Sequence, residues 1–107
     1  MTLTELTAAL RAAAEAAERY TDTPDDGSCN LDCAVFWPVA ELPNEVIEAA
    51  AQKAGVRLAV SRWPNARRCV FVYVAHGQAA RRTAMAEAAE KALAQAGLAA
   101  GMYYQVD

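Results

Sequence analysis

The chain has 107 residues, a net charge of −3 and 55% hydrophobic residues. That suits one domain, 1–107, with one modest core, and it argues against disorder and against a generic nucleic-acid or anionic-membrane surface. No apolar run reaches the ~20 residues of a membrane span, the N-terminus lacks the pattern of a secretory signal, and three cysteines point to free thiols in a reducing cytoplasm.

Residues 2–20 read as a first helix. Thr2 and Glu5 have capping-box spacing, and Leu3, Leu6, Leu10, Ala13 and Ala17 make a narrow apolar stripe. The stripe ends in alanines, so the helix is expected to lie against the domain and not at its centre. Thr21–Asp32 is rich in turn formers. Cys33–Val39 reads as a short strand ended by Pro38. A second helix opens at Pro43-Asn44, buries Val46, Ile47, Ala50, Ala51 and Ala54, and stops at Gly55.

Val56–Val74 reads as a β-hairpin turning at Trp63-Pro64-Asn65. In its second strand Val70, Val72 and Val74 take one face and Cys69, Phe71 and Tyr73 the other. An apolar pattern on both faces predicts an inner strand. A long helix follows from about Gln78 to Ala96, with Glu87 and Lys91 spaced for an ion pair. Gly101–Val106 reads as the last strand.

After the first helix the order is β-α-β-β-α-β over 33–107. This predicts an α+β fold of the ferredoxin-like, split βαβ type: a four-stranded antiparallel sheet with two helices on one face and the first and third strands inside. One sheet face, carrying Phe71 and Tyr73, then needs a cover. The N-terminal helix or a second copy of the chain could supply it.

Three segments share a pattern: DDGSCNLD at 25–32, GQAARRTAMAEA at 77–88 and YYQVD at 103–107. Together they resemble a family of small, mostly uncharacterised proteins of phages, prophages and other mobile elements. That family carries DGG-T-C-N-F-D, a G-Q-G stretch leading to paired arginines and an A-E-A helix, and a C-terminal Y-Y-Q-M-D. Here Leu31 stands for Phe, Val106 for Met, and Ala79 for the glycine after Gln78. The match spans about residues 22–107. It implies a source in a bacterial mobile element and brings no activity with it.

Gln78, Arg81 and Arg82 fall in the first turn of the long helix. Free amides, the dipole and two guanidiniums there could hold an anion, or the arginines could pair with Asp32 or Asp107. Asn30, Asp32, Tyr104, Gln105 and Asp107 flank strands and fall in the shared segments. They could join Arg81 or Arg82 in one recognition patch, although Asn30 and Asp32 also suit plain turn structure. Cys29, Cys33, Cys69 and His76 do not have zinc spacing, and no nucleophile pair is supported by an orienting group. No cofactor or metal is expected.

Phe71 and Tyr73, with Arg62, Arg67 and Arg68 at the hairpin tip, form a candidate nucleic-acid surface. Packing in the core or a dimer is the plainer role for those aromatics. The leading expectation is a non-enzymatic protein that docks on a host or phage protein in the bacterial cytoplasm. Inhibition of a defence complex, in the manner of anti-CRISPR proteins, would be its role. A nucleic-acid-binding module is the rival, and a small enzyme using Asn30, Asp32 and Arg82 is the third reading.

Overall fold

The computed structural model describes residues 1–27 and 30–105. The elements are α1 (Leu3–Glu18), β1 (Cys33–Trp37), α2 (Asn44–Ala54), β2 (Arg57–Arg62), β3 (Arg68–Tyr73), α3 (Ala79–Gln95) and β4 (Ala99–Tyr103). The strands form one sheet in the order β2-β3-β1-β4, and every neighbouring pair is antiparallel. β3 and β1 are therefore the inner strands. β3 pairs Phe71 with Val35 on one side and with Ala59 on the other. Its two-faced apolarity has the expected cause, since Cys69, Val70 and Val72 are all buried.

Side chains alternate across the sheet. Ala34, Phe36, Leu58, Val60, Val70, Val72 and Ala100 face one continuous core with Ile47 of α2 and with Met85 and Leu93 of α3. Leu6 and Leu10 of α1 lie in that same core and are completely buried. All three helices thus cover one face.

α1 departs from its sequence-based expectation. It packs against both α2 and α3, while the backbones of α2 and α3 do not come close to each other among the described residues. α1 therefore wedges between them instead of lying against the outside of the domain. Its alanines allow this, because small side chains let helices approach closely. Arg11 ties the wedge to α2 by donating to the Lys53 carbonyl at 3.0 Å. The capping box is present: the Thr2 hydroxyl accepts from the Glu5 amide and the Glu5 carboxylate from the Thr2 amide. α1 consequently does not cover the sheet face that carries Phe71 and Tyr73.

β4 runs from Ala99, two residues before the expected start at Gly101. Alanine and glycine are poor strand formers, so the pattern at 99–101 carries no strand signal. Glu87 does not pair with Lys91; its carboxylate accepts the Tyr104 hydroxyl at 2.6 Å. No helix among the described residues is long and apolar enough to cross a membrane.

Candidate functional site

The helix-free face of the sheet is built from the odd positions of β1, β3 and β4. β1 contributes Cys33, Val35 and Trp37, β3 contributes Cys69, Phe71 and Tyr73, and β4 contributes Gly101 and Tyr103. Trp63 folds back from the hairpin turn and stacks on Trp37, with ring centroids 5.9 Å apart. The Trp37 indole N–H donates to the Trp63 carbonyl at 2.7 Å, which pins the turn to β1. Trp63 meets Tyr103 edge-on at 5.0 Å, and Tyr103 meets Phe71 edge-on at 5.4 Å. Trp37, Trp63, Phe71 and Tyr103 so form one aromatic layer over Val35 and Cys69, which they help to seal from water. The four rings remain half-buried, and Tyr73 is exposed.

Gly101 makes room for this layer. A Cβ there would lie 3.0 Å from the Trp37 ring. Arg67 caps the layer from outside, its guanidinium 5.0 Å from the Trp37 centroid, a cation–π arrangement.

The candidate nucleic-acid residues do not all gather here. Arg67, Phe71 and Tyr73 share the open face. Arg68 lies on the opposite face, donating to Asn44 Oδ1 at 2.7 Å and to the Val39 carbonyl at 2.8 Å. Arg62 closes on the hairpin, donating to the Ala66 carbonyl at 3.0 Å. Arg57, which the sequence reading passed over, pairs with Tyr73 across the strands and shares its face.

Carboxylates are excluded from the strands, while cations occur in both layers. The helices carry Glu5, Glu15, Glu18, Glu45, Glu48, Glu87 and Glu90, together with Arg11, Lys53, Arg81, Arg82 and Lys91. The strands carry Arg57, Arg62 and Arg68 and no carboxylate. The net charge of −3 thus hides an open face whose charged groups, Arg57 and Arg67, are both cationic.

At one rim of the sheet residues 30–32, the first turns of α3 and the residue Gln105 after β4 meet. Asp32 is buried, with 5% of its surface exposed. Its carboxylate accepts the Thr83 hydroxyl at 2.7 Å and the Gln105 backbone amide at 2.9 Å. Asn30 accepts from the Asp32 amide at 3.1 Å and donates to the Ala79 carbonyl at 3.1 Å and to Thr83 at 3.3 Å. Asp32 thus joins loop, helix and strand end, and Thr83 is its partner on the helix. Sequence reading missed Thr83, because threonine inside a helix usually bonds only its own backbone.

The arginines at this rim do not reach Asp32. Arg81 donates to the Thr23 carbonyl at 3.0 Å and lies 3.9 Å from the Asp25 carboxylate. Arg82 donates through Nε to the Gly77 carbonyl at 3.1 Å. The N-terminus of α3 already holds an anion of its own chain, since the Gln78 amide donates to Asp25. The expected anion site is therefore internally satisfied. Tyr104 points toward α3, and its hydroxyl pKa is pushed up to about 12 by its bond to the Glu87 carboxylate. Asp107 and Cys29 lie outside the described residues.

Between rim and aromatic layer lies a cleft of about 310 Å³. Leu31, Cys33, Phe71, Tyr73, Tyr103, Arg82 and Gln105 line it. Burial pushes the Cys33 thiol up to about 11, against smaller opposing effects of a backbone hydrogen bond at Val72 and of the Arg82 charge. At neutral pH Cys33 is a neutral wall and a poor nucleophile. Cys69 is likewise raised by burial. No group of histidine, cysteine and carboxylate side chains that could hold a metal occurs among the described residues.

No protein family, no curated protein and no solved structure matches this chain.

Proposed function

We propose that this chain is a non-enzymatic binding protein that docks through its helix-free sheet face onto another protein. One observation carries the reading. That face presents tryptophan, tyrosine, phenylalanine and arginine with no strand carboxylate and no lysine. Protein interfaces are enriched in these residue types and depleted in lysine and carboxylates. The rim cluster is a weaker basis for catalysis, because Asp32, Asn30 and Thr83 spend their hydrogen bonds on one another.

The same arginines favour a partner with an acidic surface. A second copy of the chain is less suitable, since a two-fold contact would set arginine-bearing faces against each other. The resemblance to mobile-element proteins supports a host or phage protein as the partner, such as a subunit of a defence complex. The strand order and the crossovers carrying α2 and α3 support placing the fold in the ferredoxin-like, split βαβ group. Single-stranded nucleic acid is the second reading, favoured by Tyr73 standing exposed beside Arg57.

Capture from a bacterial lysate tests the reading, with bound proteins and nucleic acids both identified. The charge-reversed pair Arg57→Glu and Arg67→Glu should lose the protein that the parent chain captures. Undiminished capture would remove the open face from the interaction. A salt-sensitive oligonucleotide complex of sub-micromolar affinity, lost in the same pair, would favour the nucleic-acid reading.

A further inference from the structure

We infer that the cleft beside Arg82 is the anchor site of this docking face, taking one aromatic side chain of an acidic peptide whose carboxylate meets the Arg82 guanidinium. The inference rests on the docking reading above and specifies what part of the partner enters. Phe71, Tyr73 and Tyr103 line the cleft with aromatic surface, and its volume of about 310 Å³ has room for one ring and the backbone that carries it. Buried aromatic anchors in such pockets dominate the energetics of many interfaces.

Charge selects the second feature of the ligand. Arg82 uses Nε on the Gly77 carbonyl, and its two terminal nitrogens make no hydrogen bond among the described residues. These nitrogens form the planar fork that matches a carboxylate. No carboxylate lines the cleft. The nearest in sequence, Asp32, is buried and turned to Thr83 and the Gln105 amide. An aromatic group carrying an anion is therefore complementary, and one carrying a cation is not.

The test uses N-acetyl-L-phenylalanine as the probe and its amide, N-acetyl-L-phenylalaninamide, as the neutral control. Titration is followed by the backbone amide resonances of Cys33, Tyr103 and Gln105. The acid should shift all three saturably, and the neutral amide should bind at least fivefold more weakly. Arg82→Gln should reduce the acid to the level of the amide, and Tyr73→Ser should weaken both probes at least fivefold. Both variants should melt close to the parent. Equal binding of acid and amide, or no saturable shift, overturns the inference. Uridine 5′-monophosphate binding tenfold tighter than the acid overturns it in favour of a nucleotide. A response only in a chain lacking residues 106–107 overturns it by assigning Arg82 to the protein's own terminus. The docking reading fails separately: capture would then survive Arg57→Glu with Arg67→Glu, whatever the probe does.

Discussion

The Asp32 carboxylate accepts the backbone N–H of Gln105 at 2.9 Å, joining residues 73 positions apart in the chain. With the Thr83 hydroxyl on its other oxygen, it fastens the loop before β1, the start of α3 and the end of β4 at one point. A buried carboxylate that loses such bonds leaves unpaired donors behind. Asp32→Ala should therefore lower stability by about 2–3 kcal/mol, and Thr83→Val by about 1 kcal/mol. Arg82, half-exposed and bonded only through Nε among the described residues, should cost less than about 1 kcal/mol as Arg82→Gln. Urea titrations of the three variants would show the order. A larger loss for Arg82→Gln than for Asp32→Ala would make Arg82 the structural residue of the rim.

Gly101 and Trp37 make a second close approach. Because a Cβ at 101 would sit 3.0 Å from the indole, Gly101→Ala must push Trp37 outward, and Trp37 is bonded to the Trp63 carbonyl. The expected cost is about 1–3 kcal/mol, as for other overpacked sites. Tryptophan fluorescence should report the move, with red-shifted emission in the folded state. An unchanged spectrum at parental stability would mean that the aromatic layer adapts freely.

The central sheet was legible because β3 is a run of β-branched and aromatic residues, apolar on both faces, and because a hairpin between two helices leaves few topologies open. The place of α1 was not. Its stripe of Leu6, Leu10, Ala13 and Ala17 reads as weak, yet small residues are what a helix wedged between two others requires. At the rim, Asn30, Asp32 and Gln105 were legible as polar groups around strand ends. Thr83 was not, because nothing local distinguishes it from any helical threonine. Trp63 reads as a turn residue, and only the folded hairpin turns its ring onto Tyr103 and Trp37. Arg57 did not stand out because the total charge masks the absence of carboxylates from the strands.

The Cys33 thiol makes stability depend on alkaline pH. Its ordinary pKa of 9.0 rises to about 11 in the folded chain, chiefly by burial. Folding therefore favours the protonated thiol. The stabilisation is fully present below pH 9, where both states hold the proton, and is lost as pH rises towards 11 and the unfolded thiol ionises alone. The gap corresponds to about 2–3 kcal/mol at about 1.4 kcal/mol for each pH unit. Denaturant midpoints should fall between pH 9 and 11, and Cys33→Ala should flatten part of that fall. An identical pH slope in the variant would assign the fall to other groups, such as Tyr73, whose hydroxyl burial also raises.

Ala79 starts α3 with φ at +50°, in the left-handed region that alanine avoids. The fold holds it there through the Asn30 amide on its carbonyl and through Gly27, where a Cβ would come within 3.3 Å of the Ala79 methyl. Three effects set the outcome of Ala79→Gly. Relief of the left-handed strain gains about 1–2 kcal/mol. The greater entropy of glycine in the unfolded chain costs about 0.5–1 kcal/mol. Loss of a buried methyl, at 5% exposure, costs roughly another 0.8 kcal/mol. The sum lies within about 1 kcal/mol of zero. Ala89, fully buried in the middle of the same helix, has no strain to relieve. Ala89→Gly should therefore cost about 2 kcal/mol from helix propensity and the lost methyl together. Melting the two variants side by side isolates the backbone contribution, since both delete the same atoms from the same helix. Equal losses would show that Ala79 stores no strain at the start of α3.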